Sequence, residues 1–118
     1  MPVPEKSEAR LVGTRLSPTR CLLTVVGALD YYSAPEMSHD FHQYIDDGLT
    51  DYILELDGAT HIDSSGLGFV ISVYHSVRAR DSHLVVVVSN TRYLNLLSKT
   101  RLDQVLTIVS TRAAALVV

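Results

Sequence analysis

The residues of this chain best suited to chemistry crowd into one stretch, His61-Ile62-Asp63-Ser64-Ser65-Gly66-Leu67-Gly68, which brings an imidazole, a carboxylate and two hydroxyls together among glycines. Adjacent serines beside an aspartate admit three uses. A hydroxyl can cap a helix, attack an electrophile when a base takes its proton, or accept a phosphoryl group from another protein. The elements that hold the stretch narrow the choice. Upstream, Tyr52-Ile53-Leu54-Glu55-Leu56 reads as a strand; downstream, Leu67, Val70, Ile71, Tyr74 and Val77 recur at helical spacing and predict a helix from close to Ser65 to about Arg80. The serines therefore fall at a helix N-terminus. The first backbone N–H groups there have no intrahelical partner, so Asp63 or Ser64 is the expected cap.

Catalytic readings fail at named positions. A Gly-x-Ser-x-Gly nucleophile elbow would need glycine at Ile62 for Ser64, or at Asp63 for Ser65. A hydrolase would also need His61 or His83 to reach the Ser64 hydroxyl. Gly66-Leu67-Gly68 begins a Gly-x-Gly-x-x-Gly count, but the sixth position is Ile71, and no Gly-Lys-Ser/Thr follows a glycine run. The chain is expected not to be an enzyme. His39 and His42 share a helix face without a grouped third ligand and read as surface or boundary residues, so no metal site is expected. Asp46-Asp47 reads as a solvated helix end. Asp30, Asp57 and Asp63, each following a strand signal, are better placed to form an acidic rim that presents a cation or metal-nucleotide complex held by a partner.

Composition sets the frame. With 118 residues, 47% hydrophobic and 19% charged, the chain suits one compact domain with a real core. The net charge of −3 and the scattered Lys and Arg residues argue against a nucleic-acid partner. Cys21, the single cysteine, lies in an apolar run and reads as a small buried hydrophobe, with no intramolecular disulfide available. No apolar run approaches the roughly 18 residues needed to span a bilayer, so neither a membrane span nor a membrane partner is expected, and the expected location is cytoplasmic.

Met1 to Arg10 reads as a flexible lead-in to a domain over residues 11–118. Leu11 to Leu16 and Cys21 to Val26 are predicted to form a hairpin about Ser17-Pro18-Thr19-Arg20. Gly27-Ala28-Leu29-Asp30 ends the second strand. Ser33-Ala34-Pro35-Glu36 has the spacing of a capping box and predicts a helix whose apolar stripe is Ala34, Met37, Phe41, Tyr44 and Ile45, with Gly48 as its stop. His83 to Ser89, rich in valine, predicts a strand covered on both faces at the centre of the sheet. Arg92 to Lys99 predicts a third helix, Val105 to Val109 a last strand, and Thr111 to Val118 a final helix capped by Ser110. The order implies an α/β fold with right-handed crossovers, and sites in such sheets favour loops beyond the carboxyl ends of strands. Asp30 and the Asp57-to-Ser65 segment both follow strands, and if those strands are neighbours the two loops meet on one rim.

These residues resemble the STAS domain family, and within it the bacterial anti-sigma factor antagonists, across nearly the whole chain. Ile62-Asp63-Ser64-Ser65-Gly66-Leu67-Gly68 is similar to that family's phosphorylation loop, and Gly27-Ala28-Leu29-Asp30 with Ser33-Ala34 is similar to its Gly-x-Leu-Asp entry into the first helix. Val88-Ser89-Asn90, the leucine-rich helix and Thr100-Arg101-Leu102-Asp103 extend the likeness. Three positions depart from it: Arg101 stands where glycine is usual, Thr91 where proline is common and Ala28 where an acidic residue is frequent.

The resemblance implies a single STAS-type domain, with a mixed sheet of four to five strands and about four helices packed mainly on one face. It implies an antagonist that binds an anti-sigma factor/serine kinase when unphosphorylated, releasing a sigma factor, and is switched off by phosphorylation at Ser64, with Ser65 as the fallback acceptor. Asp30, Asp63, Ser64, Ser65, Gly66 and Leu67 would face the partner. The chain would need no cofactor of its own, since ATP and Mg would come with the kinase, and a serine phosphatase would reset the cycle. The alternative is a STAS interaction subunit of a transporter or stress-signalling scaffold, using the same loop without phosphorylation.

Overall fold

The computed structural model describes residues 9–118. The expected lead-in falls outside the described residues except for its end, where Ala9 is buried and Arg10 opens the first strand. Strands β1 (Arg10–Arg15) and β2 (Arg20–Leu29) form the expected antiparallel hairpin, with Arg15 opposite Cys21. Helix α1 (Ala34–Tyr44), strands β3 (Asp51–Glu55) and β4 (Ala59–Ile62), and helix α2 (Ser64–Ala79) follow. Strand β5 (His83–Val87), helix α3 (Thr91–Lys99), a 3₁₀ turn at Leu102–Gln104, strand β6 (Thr107–Val109) and helix α4 (Arg112–Ala115) complete the chain. The sheet order is β1-β2-β3-β5-β6, parallel after the hairpin, with β4 paired to β2.

Strand alternation builds two cores. Cys21, Leu23, Val25, Tyr52, Leu54 and Val86 point to one face, where Met37 and Phe41 of α1, Phe69, Val70, Val73 and Val77 of α2, and Tyr93 and Leu97 of α3 cover them. Their neighbours Leu22, Ile53, Val85 and Val87 point to the other face and meet Ala115 of α4. Three helices thus lie on one side and α4 on the other. The short α4 is held by Arg112, whose Nε and NH2 both donate to the Glu55 carboxylate at 2.8 Å. The valine run is covered on both faces as expected, although β3 takes the middle of the sheet.

The sheet has six strands, one more than the upper expectation. The extra one is β4. Its residues Thr60 and His61 are exposed while Ala59 and Ile62 are buried, so it lacks the alternation that marks a strand in sequence. It forms because β2 is long: residues 20–24 pair with β3, and residues 27–29 pair with β4, with a register shift between Gly27 and Ala28. Gly27 takes φ +86 there, and a Cβ would press on the Ala9 backbone.

Other boundaries also moved. Helix α1 ends at Tyr44 with Ile45 extended, and Gly48 instead closes a turn by donating its N–H to Asp46 Oδ1 at 2.8 Å. This bond, and Arg15 beyond it, hold the Asp46 carboxyl below its ordinary range. The final helix stops at Ala115, and Val117 and Val118 are exposed. Arg101 takes φ 61, the left-handed conformation that suits glycine.

Candidate functional site

The condition for a shared rim is met by β2 and β3, which pair in parallel, and the unexpected β4 brings the two loops closer still. Leu29 and Ile62, the last residues of β2 and β4, are direct partners in a parallel ladder, so Asp30 and Asp63 leave the sheet side by side. The Asp63 N–H extends the pairing by donating to Leu29 O at 3.3 Å. Each aspartate then starts a helix by a different route.

Asp63 is the N-cap of α2. Its backbone is extended, and its Oδ1 accepts the Gly66 N–H at 3.0 Å. Ser64 and Ser65 are therefore the first two helical residues. Ser64 is exposed and Ser65 half-buried. With the cap supplied by Asp63, the Ser64 hydroxyl is committed to no partner among the described residues. Gly66 is buried against Leu29, where an added Cβ would overlap the Leu29 carbonyl oxygen and lie 2.8 Å from its Cγ. Glycine is what lets the start of α2 lie against the end of β2. Leu67, 5% exposed, belongs to the core. Gly66 and Leu67, expected among the partner-facing residues, thus offer no surface; Asp30, Asp63, Ser64 and Ser65 remain at least partly accessible.

The capping box at α1 does not form. Ser33 has helical backbone angles and no capping bond, and Glu36 points to solvent. Asp30 instead holds the turn that leads into α1, its Oδ1 accepting the N–H groups of Tyr32 and Ser33, each at 3.0 Å. Ser33 turns inward, donating its hydroxyl to Ala28 O at 2.6 Å and accepting the Asp30 N–H at 3.0 Å. The Ser-x-x-Glu spacing was satisfied, but the half-buried Ala28 carbonyl within reach of Ser33 outcompeted the helix end.

Asp57 serves a third turn. Its carboxylate accepts from Ser89 N–H and Oγ, both at 2.9 Å, and from Asn90 N–H at 3.2 Å, and so ties the end of β3 to the entrance of α3. Asn90 in turn caps α3 by accepting the Arg92 N–H at 2.9 Å. The acidic rim is therefore not a set of three convergent carboxylates: Asp30 and Asp63 bind backbone amides of their own turns, and Asp57 those at the entrance of α3.

The histidines do not assemble a catalytic set. His83 opens β5 opposite Asp51, at the amino end of the parallel strands, whereas Ser64 follows the carboxyl end of β4. His61 is exposed and lines a groove of about 470 Å³ with Arg92 and Lys99 of α3. His39 and His42 are exposed on α1, His42 Nδ1 lying 2.6 Å from Ser38 O. Cys21 is buried, and burial pushes its thiol pKa up.

Tyr31 and Tyr32 were not singled out by sequence reasoning. They sit in the turn between Asp30 and α1, 71% and 83% exposed, with rings packed edge to face at 5.5 Å. The available signal was two adjacent aromatics outside any apolar period, which no single helix stripe could bury.

The comparisons agree with this architecture. The STAS domain model matches residues 12–115, and the chain belongs to that family. Its relatives place it among the anti-sigma factor antagonists. It is 31% identical to the anti-sigma-B factor antagonist of Listeria monocytogenes over 85 residues, which cover 71% of this chain and 74% of the relative. The fold is similar to that of an anti-sigma factor antagonist from Mycobacterium paratuberculosis, with a TM-score of 0.77, 18% identity and coverage of 93% and 92% of the two chains. It also resembles the phosphorylated form of the Bacillus cell fate determinant SpoIIAA, with a TM-score of 0.67, 15% identity and coverage of 88% and 95%. Among the described residues no helix is long and apolar enough to cross a membrane.

Proposed function

We propose that this chain is a phosphorylation-gated antagonist of an anti-sigma factor that is also a serine kinase. Unmodified, it docks on that partner and frees a sigma factor; phosphorylated on Ser64, it is released. The observation that carries the reading is the contrast among the serines of the rim. Ser64 is exposed with an uncommitted hydroxyl, Ser65 is half-buried, and Ser33 is buried and bonded at both ends. The names of the relatives supply the partner class, and one structural neighbour, SpoIIAA, is known in unphosphorylated and phosphorylated forms.

The physics of such a switch suits the site. A phosphoserine carries about −1.5 to −2 charges. At the first position of α2 it sits where unpaired N–H groups and the helix dipole favour an anion, so the fold tolerates it. In a closed interface the same group must be desolvated beside Asp63 and opposite the nucleotide phosphates that a kinase holds. A penalty of about 3 kcal/mol would weaken binding about a hundredfold. The partner supplies ATP and Mg, and a serine phosphatase would restore the unmodified state.

The test is to incubate the protein with candidate anti-sigma factor kinases and ATP-Mg, then map phosphate by intact mass and peptide sequencing. Phosphate on Ser64 is expected, and none on either Ser64 or Ser65 with any kinase that it binds would overturn the reading. Ser64→Ala should bind the kinase but resist release by ATP, and Ser64→Asp should bind weakly. Equal binding by the two variants would argue against a charge mechanism.

A further inference from the structure

Gly68 occupies a helical position without a packing reason. A Cβ there would meet nothing within 4 Å, whereas at Gly66, two residues earlier, it would collide with Leu29. Glycine inside a helix is destabilising relative to alanine. At Gly66 the fold requires that cost; at Gly68 the folded chain shows no return for it. What the bare position leaves open is a groove of about 550 Å³ between the starts of α1 and α2, bordered by Tyr31, Tyr32, Pro35, Ser65 and Phe69. Its lining carries no charged residue, and Glu36 lies outside it, next to Pro35 in the chain.

The tyrosines beside it are exposed yet held. Asp30 Oδ1 binds the amides of Tyr32 and Ser33, and the inward bonds of Ser33 lock the turn from beneath. Large aromatics fixed in solvent are preorganised anchors, which lose little freedom when covered. The groove also adjoins the proposed phosphoacceptor through Ser65, the residue after Ser64. Glu36, in the first turn of α1 next to Pro35, is exposed and pairs with no cation among the described residues.

We infer that the Tyr31-Tyr32-Gly68 groove is the specificity pocket for the anti-sigma factor kinase, taking an apolar side chain of that partner with a flanking Arg or Lys directed to Glu36. The inference rests on the reading of the chain as that kinase's antagonist. The bare floor at Gly68 admits the apolar group, and the tyrosine rings flank it. The unpaired carboxylate of Glu36 supplies the charge complementarity on the α1 side, away from the group that becomes phosphorylated on α2.

The experiment measures the affinity of the kinase that phosphorylates Ser64, and steady-state phosphorylation by it, for Gly68→Ala, Gly68→Leu, Tyr31→Ala/Tyr32→Ala and Glu36→Lys. Thermal melts are run in parallel. Gly68→Leu should melt at or above the wild-type temperature yet bind at least about tenfold more weakly, with KM raised and kcat retained. The double tyrosine variant should lose at least about thirtyfold in affinity, the level of an interface hot spot. Glu36→Lys should slow association at low salt, with the difference shrinking as salt rises. Wild-type affinity in both Gly68→Leu and the double tyrosine variant would overturn the pocket while leaving the Ser64 switch standing. A wild-type protein that no kinase phosphorylates would overturn the switch itself, and the pocket with it.

Discussion

The starts of α1 and α2 are built from the same parts and put them to opposite uses. Each follows a strand of one parallel pair, Leu29 facing Ile62 across the ladder, and each opens with an aspartate whose Oδ1 accepts nearby backbone amides, those of Tyr32 and Ser33 ahead of α1 and that of Gly66 within α2. Each then brings a serine to the helix N-terminus. Ser33 is 2% exposed, its hydroxyl spent on Ala28 O, while Ser64 faces solvent. The difference arises from where the aspartate sits. Asp63 immediately precedes α2 and takes the cap, which leaves the next residue outside; Asp30 stands four residues before α1, and the turn between them folds Ser33 back over the end of β2. The same residue chemistry thus gives one serine that holds the fold and one that is available to another protein.

Breaking the two starts should separate them by stability. The largest loss is expected at Gly66→Ala, which sets a methyl against the Leu29 carbonyl and should cost about 3 kcal/mol or more in urea unfolding, as overpacking does where backbone blocks relaxation. Ser33→Ala should follow at about 1–3 kcal/mol, because it leaves the half-buried Ala28 carbonyl without its hydroxyl donor and the Asp30 N–H without its acceptor. Asp63→Ala, which removes the α2 cap, should cost about 1 kcal/mol, with the start of α2 losing amide-exchange protection before the core does. Gly68→Ala should act in the other direction and stabilise by up to about 1 kcal/mol. Ser64→Ala should be the smallest, within about 0.5 kcal/mol of wild type. Cys21 offers a check on that last case: its thiol is buried and its pKa raised, so alkylation requires opening of the domain, and Ser64→Ala should label at the wild-type rate. Equal stability losses at Ser33→Ala and Ser64→Ala would erase the contrast.

Much of this was legible in the chain. The apolar period from Leu67 to Val77 placed α2 within a residue of its observed start and end, and the valine run marked a strand buried on both faces. Short-range patterns work where one element has one buried side, because the period of the backbone then appears directly in the residue types. They failed where the neighbours of an element decide its fate. Strand β4 exists because β2 outruns β3 and offers free ladder positions, which no pattern in Ala59–Ile62 records. The capping box failed for a related reason: Ser33 had a second acceptor available only after the turn had formed. The acidic rim did not converge because Asp30, Asp57 and Asp63 each hold the backbone amides of a different turn, partners that only the folded chain supplies.

By itself the sequence determined that Ser64 stands at the beginning of a helix, preceded by an aspartate and followed by two closely spaced glycines, since those are local facts of residue type and spacing. Only the tertiary structure decided what each of these residues does. The β2–β4 ladder sets Leu29 against Gly66, so that glycine is structural, and it leaves Gly68 open beside two tyrosines that sit 37 and 36 positions away in the chain. Backbone preferences act over a few residues, whereas a groove is a distance between segments, and that distance exists only once the sheet has brought them together.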